Sequence, residues 1–386
     1  GLHQGRTRVR GNSIDYTRGA LRAEDLTVSR HLLDAGYRTA LFGKWGLGEQ
    51  GGAAGGLPHV HGFEHFLGFL NHWHAHNHFP DFLWRDRSRI SLPNRVELIG
   101  DYGGAITADP LFFADDLLAD AALSWLARHQ GEPFFLFWSM IIPHANNERA
   151  RALGDGAHVP DYGPYAGRDW PDPDKGHAAM IARLDSYVGR LLDRLRELGL
   201  AENTLVFFTS DNGPHAESRH DLTRFRPAGP LRGKKRDLTE GGIRVPALAW
   251  WPGTISPGRT TDHVAYFGDW FATVAELAGV APPGDLDSLS FVPTLEDDPA
   301  RQRRHEALYW EFAEREPMQA ALLDGRWKAH RAGSVREPIV LYDLANDIAE
   351  KDNVAGNHPH IVARAREFLD RARVPSLDWP LFTEDR

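Results

Sequence analysis

The chain has 386 residues, 42% of them hydrophobic and 25% charged, which is ordinary for a globular protein with a sizeable core. Its formal net charge of -9 removes the electrostatic case for nucleic acid or an anionic membrane surface as partner. The absence of cysteine excludes disulfides and thiolate metal sites, and no apolar run is long enough to cross a bilayer.

Helical and strand patterns alternate along the chain. Leu26–Ala35 has apolar residues at helical spacing, and GYRTALFG then turns into a short strand. Phe112–His129 sets Leu117, Leu118, Ala121, Ala122, Trp125 and Leu126 on one helical face. Pro133 introduces FFLFWSM, an apolar run of strand composition. His177–Leu200 repeats the helical scheme with Met180, Ile181, Leu184, Val188, Leu191, Leu192 and Leu195, and Gly199 stops it. TLVFF from Thr204 and PALAWW at Pro246–Trp251 read as further strands, and Asp269–Ala278 as a short helix. Such alternation implies an α/β fold, a mostly parallel sheet sandwiched by helices. Composition shifts at residues 281–304, where Pro, Asp and Arg accumulate. Beyond it EALYWEF, MQAALLDGRWKAHR and PIVLYDL read as three short strands, and His358–Ala372 as a final helix. The expected division is a catalytic α/β domain over residues 1–290 and a small C-terminal antiparallel-sheet plus helix subdomain over 291–386.

Four segments could carry chemistry, and each has a plainer reading. Lys44 stands between glycines straight after a strand, where a cation can reach an anion, although loop lysines are ordinarily solvated. His144 ends the second apolar strand and could as well be a packing histidine. Asp211 and Asn212 follow TLVFFTS; they are turn formers, but their oxygens also suit hard cations such as calcium or magnesium. Lys235 lies in PLRGKKRDLTEGGIRVP, which otherwise reads as a solvated charged loop. Ligands of open parallel sheets bind beyond the carboxyl ends of the strands, so together these residues describe a cationic, metal-assisted pocket for a sulfate or phosphate ester.

In order and spelling, GYRTALFGKWGLG, the strand ending in PH, SDNG and LRGKKRDLTEGGIRVP resemble the motifs of the type I sulfatases, the arylsulfatase family of the alkaline phosphatase superfamily. LYWEF, DGRWKAHR and LYDLANDIAEKDNVAGNHP resemble that family's C-terminal subdomain, so the likeness runs through nearly the whole chain. The resemblance implies a sulfuric ester hydrolase acting on a sulfate-ester small molecule or a sulfated glycan. It further implies that Asp211 and Asn212 are calcium ligands, with magnesium the alternative ion. Lys44 and Lys235 would contact the sulfate, and His144 the leaving-group oxygen. The nucleophile of the family is a formylglycine, hydrated to a gem-diol and made from Cys or Ser in a C/S-x-P-x-R motif. GLHQGRTRVRGN resembles the stretch just past that motif, so the nucleophile is expected about ten residues before Gly1. On that reading the chain is N-terminally truncated and inactive as it stands. Many members carry a histidine two positions after the lysine, where this sequence has Gly46. His74 or His76, from the alternating histidines of NHWHAHNHF (Asn71–Phe79), is expected to replace it from one face of an extended segment and to bind substrate. The family is usually exported, which implies a periplasmic or secreted protein. Two alternatives are a non-catalytic binder of sulfated glycans and a phosphodiesterase or phosphonate hydrolase of the same superfamily.

Overall fold

The computed structural model describes residues 21–48, 56–284, 286–313, 316–373 and 381. The opening GLHQGRTRVRGN and residues 49–55 of the glycine-rich loop lie outside them. The described residues form two compact units, one of residues 21–204 and 215–225, the other of 205–214 and those from 226 onward.

The first unit starts with α1 (Val28–Asp34), whose first turn is capped by the Thr27 hydroxyl accepting the Arg30 N–H. β1 (Arg38–Lys44) follows, then β2 (His65–Phe69), the short α2 (His72–His76), β3 (Phe82–Arg85), β4 (Ser88–Ser91), β5 (Arg95–Ile99) and β6 (Gly104–Asp109). α3 (Ala114–Arg128), β7 (Phe134–Ser139), α4 (Asn147–Leu153) and α5 (Asp172–Glu197) come next, and α6 (Leu222–Phe225) belongs to the same unit. One sheet has the order β4-β3-β2-β1-β7, in which β2, β1 and β7 run parallel while β3 and β4 add antiparallel edges. β5 and β6 make a separate antiparallel pair.

β1 is buried on both faces, as the central strand of a covered parallel sheet must be. Side chains alternate across it: Phe42 packs with Leu67, Phe69, Leu118 and Trp125 on the α3 side, and Leu41 packs with Trp45, Phe63, Phe66 and Leu70 on the other. Each such large side chain removed from water contributes about 1.5–3 kcal/mol. α5 begins at Asp172 rather than at His177, because Pro173 and the acids Asp172 and Asp174 occupy its first turn. Of its expected stripe, Met180 and Leu195 are buried, Leu184 packs beside Tyr187, and Ile181 is 46% exposed.

The second unit contains β8 (Val206–Thr209), α7 (Glu240–Ile243), β9 (Ala247–Trp250), α8 (Asp269–Leu277) and α9 (Val292–Leu295). After these come β10 (Ala307–Phe312), β11 (Met318–Leu323), β12 (Trp327–Ala332), β13 (Val340–Asp343) and α10 (Pro359–Ala372). β8, expected as a buried strand of the parallel sheet, is half-buried and pairs antiparallel with β9. An apolar run of that length specifies a strand but not the direction of its partner. The C-terminal sheet has four strands instead of three, in the order β10-β11-β12-β13. The extra one arises because MQAALLDGRWKAHR folds back at Asp324-Gly325, both at positive φ (54° and 67°), the Asp-Gly signature of a tight hairpin. α10 closes over this sheet through Ala365 and Leu369, which pack on Leu323, Ala329 and Leu341. No helix among the described residues is long and apolar enough to cross a membrane.

Candidate active site

In the first unit the carboxyl ends of β2, β1 and β7 lie side by side, with Lys44 opposite Phe69 and Gly43 opposite Ser139. Gly43 takes φ +113°, and a Cβ there would strike the Ser139 carbonyl; one on Gly68 would strike the Gly43 carbonyl. Glycine at these two positions lets three backbones approach closely, and the half-buried Lys44 closes β1 at that edge. The next residues continue the pairing, Trp45 N–H donating to the Phe69 carbonyl at 2.8 Å and Gly46 N–H to that of Leu70 at 3.1 Å. Gly46, at φ +67°, lies under the imidazole of His72, which a Cβ would meet.

His72–His76 is a helical turn, not the extended segment expected from its alternation. Asn71 starts it by accepting the N–H groups of Trp73 and His74. Helical spacing sends the two candidate substrate ligands apart. His74 is buried, its ring 4.2 Å from that of Phe82 and 4.9 Å from that of Phe69. Burial, with the Arg89 charge, lowers its pKa to about 3, so it is neutral. His76 instead points Nδ1 at Glu148 Oε2 at 3.0 Å, and its ring lies 5.1 Å from that of His144, within 9° of parallel. Glu148 sits 3% exposed in the first turn of α4. Burial alone would raise its pKa, but the His76 hydrogen bond and charge, with Arg151, hold the carboxyl below its ordinary value.

His144 follows β7. Its Nδ1 lies 2.8 Å from the Ala145 carbonyl, an oxygen that can only accept, so that nitrogen carries the proton. Nε2 faces the carboxylate of Glu217 at 3.6 Å. Two more imidazoles hold the peptides on either side of His144: His78 Nε2 bonds the His144 carbonyl and His215 Nε2 bonds that of Pro143, each at 2.9 Å. Residue type and order did not distinguish Glu217, His78 and His215 as partners of His144, or Glu148 as the partner of His76. The only signal was the density of histidines in NHWHAHNHF and around SDNGPH.

In the second unit, Asp211 and Asn212 lie just beyond β8, Asp211 exposed and Asn212 half-buried. The Asn212 amide nitrogen donates to the Gly213 carbonyl at 2.8 Å, which leaves its oxygen as the atom suited to a cation. Gly213 N–H donates to Gly242, and Lys235 N–H to Pro214, at 2.9 and 2.8 Å, so the Asp-Asn turn and the Lys235 loop are tied together. Behind that loop, Glu240 receives the buried ammonium of Lys328 at 2.6 Å, and its N–H donates to Glu350 at 2.7 Å. The carboxylate and amide oxygens of Asp211 and Asn212 suit calcium in kind and could supply two of its six to eight ligands. Among the described residues there is no group of three or more His, Cys, Asp or Glu able to hold a metal by itself.

Within their units, then, the fold stacks His76 on His144, sets Lys44 at the carboxyl edge of the sheet that also carries them, and ties Lys235 to the Asp211–Asn212 turn. His74 is not among the residues gathered there.

A family model described as sulfatase matches residues 2–280. The chain belongs to the sulfatase family. A second model, described as N-sulphoglucosamine sulphohydrolase, C-terminal, matches residues 233–373 of this sulfatase. Human arylsulfatase A is 30% identical to it over 93% of this chain and 73% of its own length. A structure solved in complex with k-i-k-neocarrahexaose shares the fold at TM-score 0.72 and 22% identity, covering 100% of this chain and 83% of its own. Another, solved in complex with its substrate D-glucosamine-2-N, 6-O-disulfate, does so at TM-score 0.66 and 19% identity, covering 96% and 86%. This sulfatase is a sulfuric ester hydrolase of alkaline phosphatase-like fold, and neither the non-catalytic binder nor the phosphodiesterase reading is favoured. Its family is generally calcium-dependent and uses formylglycine.

Proposed function

We propose that this sulfatase removes sulfate from a sulfated glycan, outside the cell or in the periplasm, with the chemistry in residues 1–290 and residues 291–386 as a C-terminal subdomain. Lys44 and Lys235 neutralise the sulfate oxygens, and Asp211 and Asn212 supply two oxygens to a calcium ion. Formylglycine supplies the nucleophile in this chemistry; the residues of this chain bind, orient and handle the proton. His144 carries the acid role. With the Nδ1 proton committed to the Ala145 carbonyl, the second proton of the imidazolium sits on Nε2, beside Glu217, and is the one yielded to the departing oxygen. That ring orientation, with Nδ1 anchored and Nε2 facing a carboxylate, is the observation that carries the reading. His76, stacked on His144, is assigned to the substrate pocket, and His74, between Phe69 and Phe82, supports the α2 turn that presents it. The sugar chemistry rests on the relatives, because the carbohydrates named for the two solved structures are their own ligands.

The test is turnover of an aryl sulfate, a sulfated oligosaccharide and the matching phosphate ester by the calcium-loaded enzyme and its Lys44→Ala and His144→Ala variants. Each substitution is expected to lower kcat/KM on sulfate esters by about 10²–10³-fold, the cost of losing one charge-stabilising or acid group. His144→Ala should lose less on esters with good leaving groups, which need no proton. Preference for the phosphate ester, or full activity of either variant, overturns the reading.

A further inference from the structure

The array around His144 contains a group to which the proposed chemistry gives no role. Glu148 is 3% exposed, yet it is not there for packing. Its carboxylate accepts from His76 Nδ1 at 3.0 Å through Oε2, while Oε1 lies 3.6 Å from Arg151 at the surface. The place it occupies is shaped for it. Gly104, at the start of β6, lies against the Glu148 side chain so closely that a Cβ would come within 2.9 Å of its Cγ and Cδ. The α4 N-cap is fixed separately, Asn146 Oδ1 accepting the Arg149 N–H at 2.9 Å while its amide donates to Ala105 of β6 at 3.0 Å. Glu148 thus reaches His76 from a helix start that is itself bolted to the strand beside it.

We propose that Glu148 is a positioning residue for the acid: by accepting the Nδ1 proton of His76 it fixes the tautomer and plane of that ring against His144, so that the two imidazoles share a single positive charge between two carboxylates. The inference rests on His144 acting as proton donor. The order of groups is Glu148, His76, His144, Glu217, with the two rings nearly parallel. Two imidazolium rings at that separation repel, so the array favours a single positive charge, and the buried anion at one end stabilises it. When the ester S–O bond breaks, the leaving oxygen takes the proton from His144 Nε2 and the array becomes neutral in its imidazoles; water returns the proton afterwards. Among the described residues, the groups facing the pair in this unit include Glu148 and Arg151 from α4, Glu217 and His215 from the segment after residue 214, and His78, whose Nε2 binds the His144 carbonyl.

The experiment compares pH profiles of kcat for the calcium-loaded enzyme, Glu148→Gln, His76→Asn and His144→Ala, on an aryl sulfate with a poor leaving group. Glutamine keeps the shape and can still accept from Nδ1 but removes the negative charge. Glu148→Gln is expected to lower kcat about 10–100-fold with KM little changed, and to move the alkaline limb of the profile to lower pH, as an orienting carboxylate behind a catalytic imidazole would. Glu148→Asp, whose side chain is too short to reach His76, should not restore the profile. His76→Asn serves if Glu148→Gln fails to fold and should move the same limb in the same direction. An alkaline limb unmoved in both variants, while His144→Ala is impaired, overturns the role of Glu148 alone. A fully active His144→Ala overturns the acid assignment and this inference with it.

Discussion

The Lys235 loop is held by an ion pair that the structure buries completely, and its removal has a calculable consequence. Lys328, on β12, is 0% exposed, with its ammonium 2.6 Å from Glu240 and 5.3 Å from the Trp310 ring centroid. Glu240 is 5% exposed, and Glu350, at 0%, accepts the Glu240 N–H and binds His330 at 2.9 Å. Burial raises the pKa of Glu350, but His330 and Lys328 outweigh it and leave the carboxyl below its ordinary value. Lys328→Met keeps the volume of the stem and takes away the cation between two buried carboxylates. Breaking one side of a buried pair costs about 3–5 kcal/mol, because the uncompensated charge cannot return to water. Arg244, 3.6 Å from Glu240 and 57% exposed, recovers little of that. For a unit of this size the loss corresponds to a fall in Tm of about 6–20 °C. Thermal denaturation of the enzyme, Lys328→Met, and Lys328→Met/Glu240→Gln measures it. The double variant, which removes the lone charge at position 240 and leaves Glu350 held by His330 and the backbone N–H of residue 240, is expected to regain part of the loss. A single variant within about 2 °C of the parent, or a double variant no better than the single, refutes the argument that charge rather than packing is at stake.

Gly213→Ala would drive a Cβ into the Gly241 carbonyl and within 3.0 Å of Gly242 Cα, so it should cost about 1–3 kcal/mol and displace the Asp211–Asn212 turn; denaturant unfolding reads the loss. Added calcium should raise the Tm of the enzyme, and a chelator should reverse it, while Asp211→Ala should show neither shift in differential scanning calorimetry. Burial, reinforced by His220 and His215, holds the pKa of His177 at about 3 against an ordinary 6.5. Between those values only the unfolded chain takes the proton, so stability is full above about pH 6.5 and falls as pH drops toward 3. His177→Gln should flatten that acid slope in Tm measured against pH, and an unchanged slope would remove His177 as its source.

Much of the first unit was legible because its signals are local. The apolar run of β1, the Phe112–His129 stripe and the glycine after α5 are consequences of period and turn chemistry, and the elements lie close to where these place them. β3 to β6 were not legible: they carry mixed residues without a clean alternation, and β4 and β5 are largely exposed. The hairpin at Asp324-Gly325 was missed although its dipeptide is a strong turn signal, since the apolar residues on either side read as one strand. Among site residues, Lys44, His144, Asp211, Asn212 and Lys235 were named from motifs that sit at strand ends and in tight turns. His76 and His74 were named together, and three-dimensional context separates them, one onto His144 and the other between Phe rings.

Residue order alone determined the α/β class, the family and the polar groups at the strand ends, because each is written in short stretches whose spacing and spelling survive without their surroundings. Only the tertiary structure decided that β8 pairs antiparallel with β9, that His144 is gripped by His78 and His215 and stacked on His76, and that Glu148 and Lys328 are buried charges with partners. Glu148 and His76 are 72 positions apart, and Lys328 and Glu240 are 88. A lone Glu or Lys in a sequence carries the same letter whether it faces water or another charge, and only the fold chooses between them.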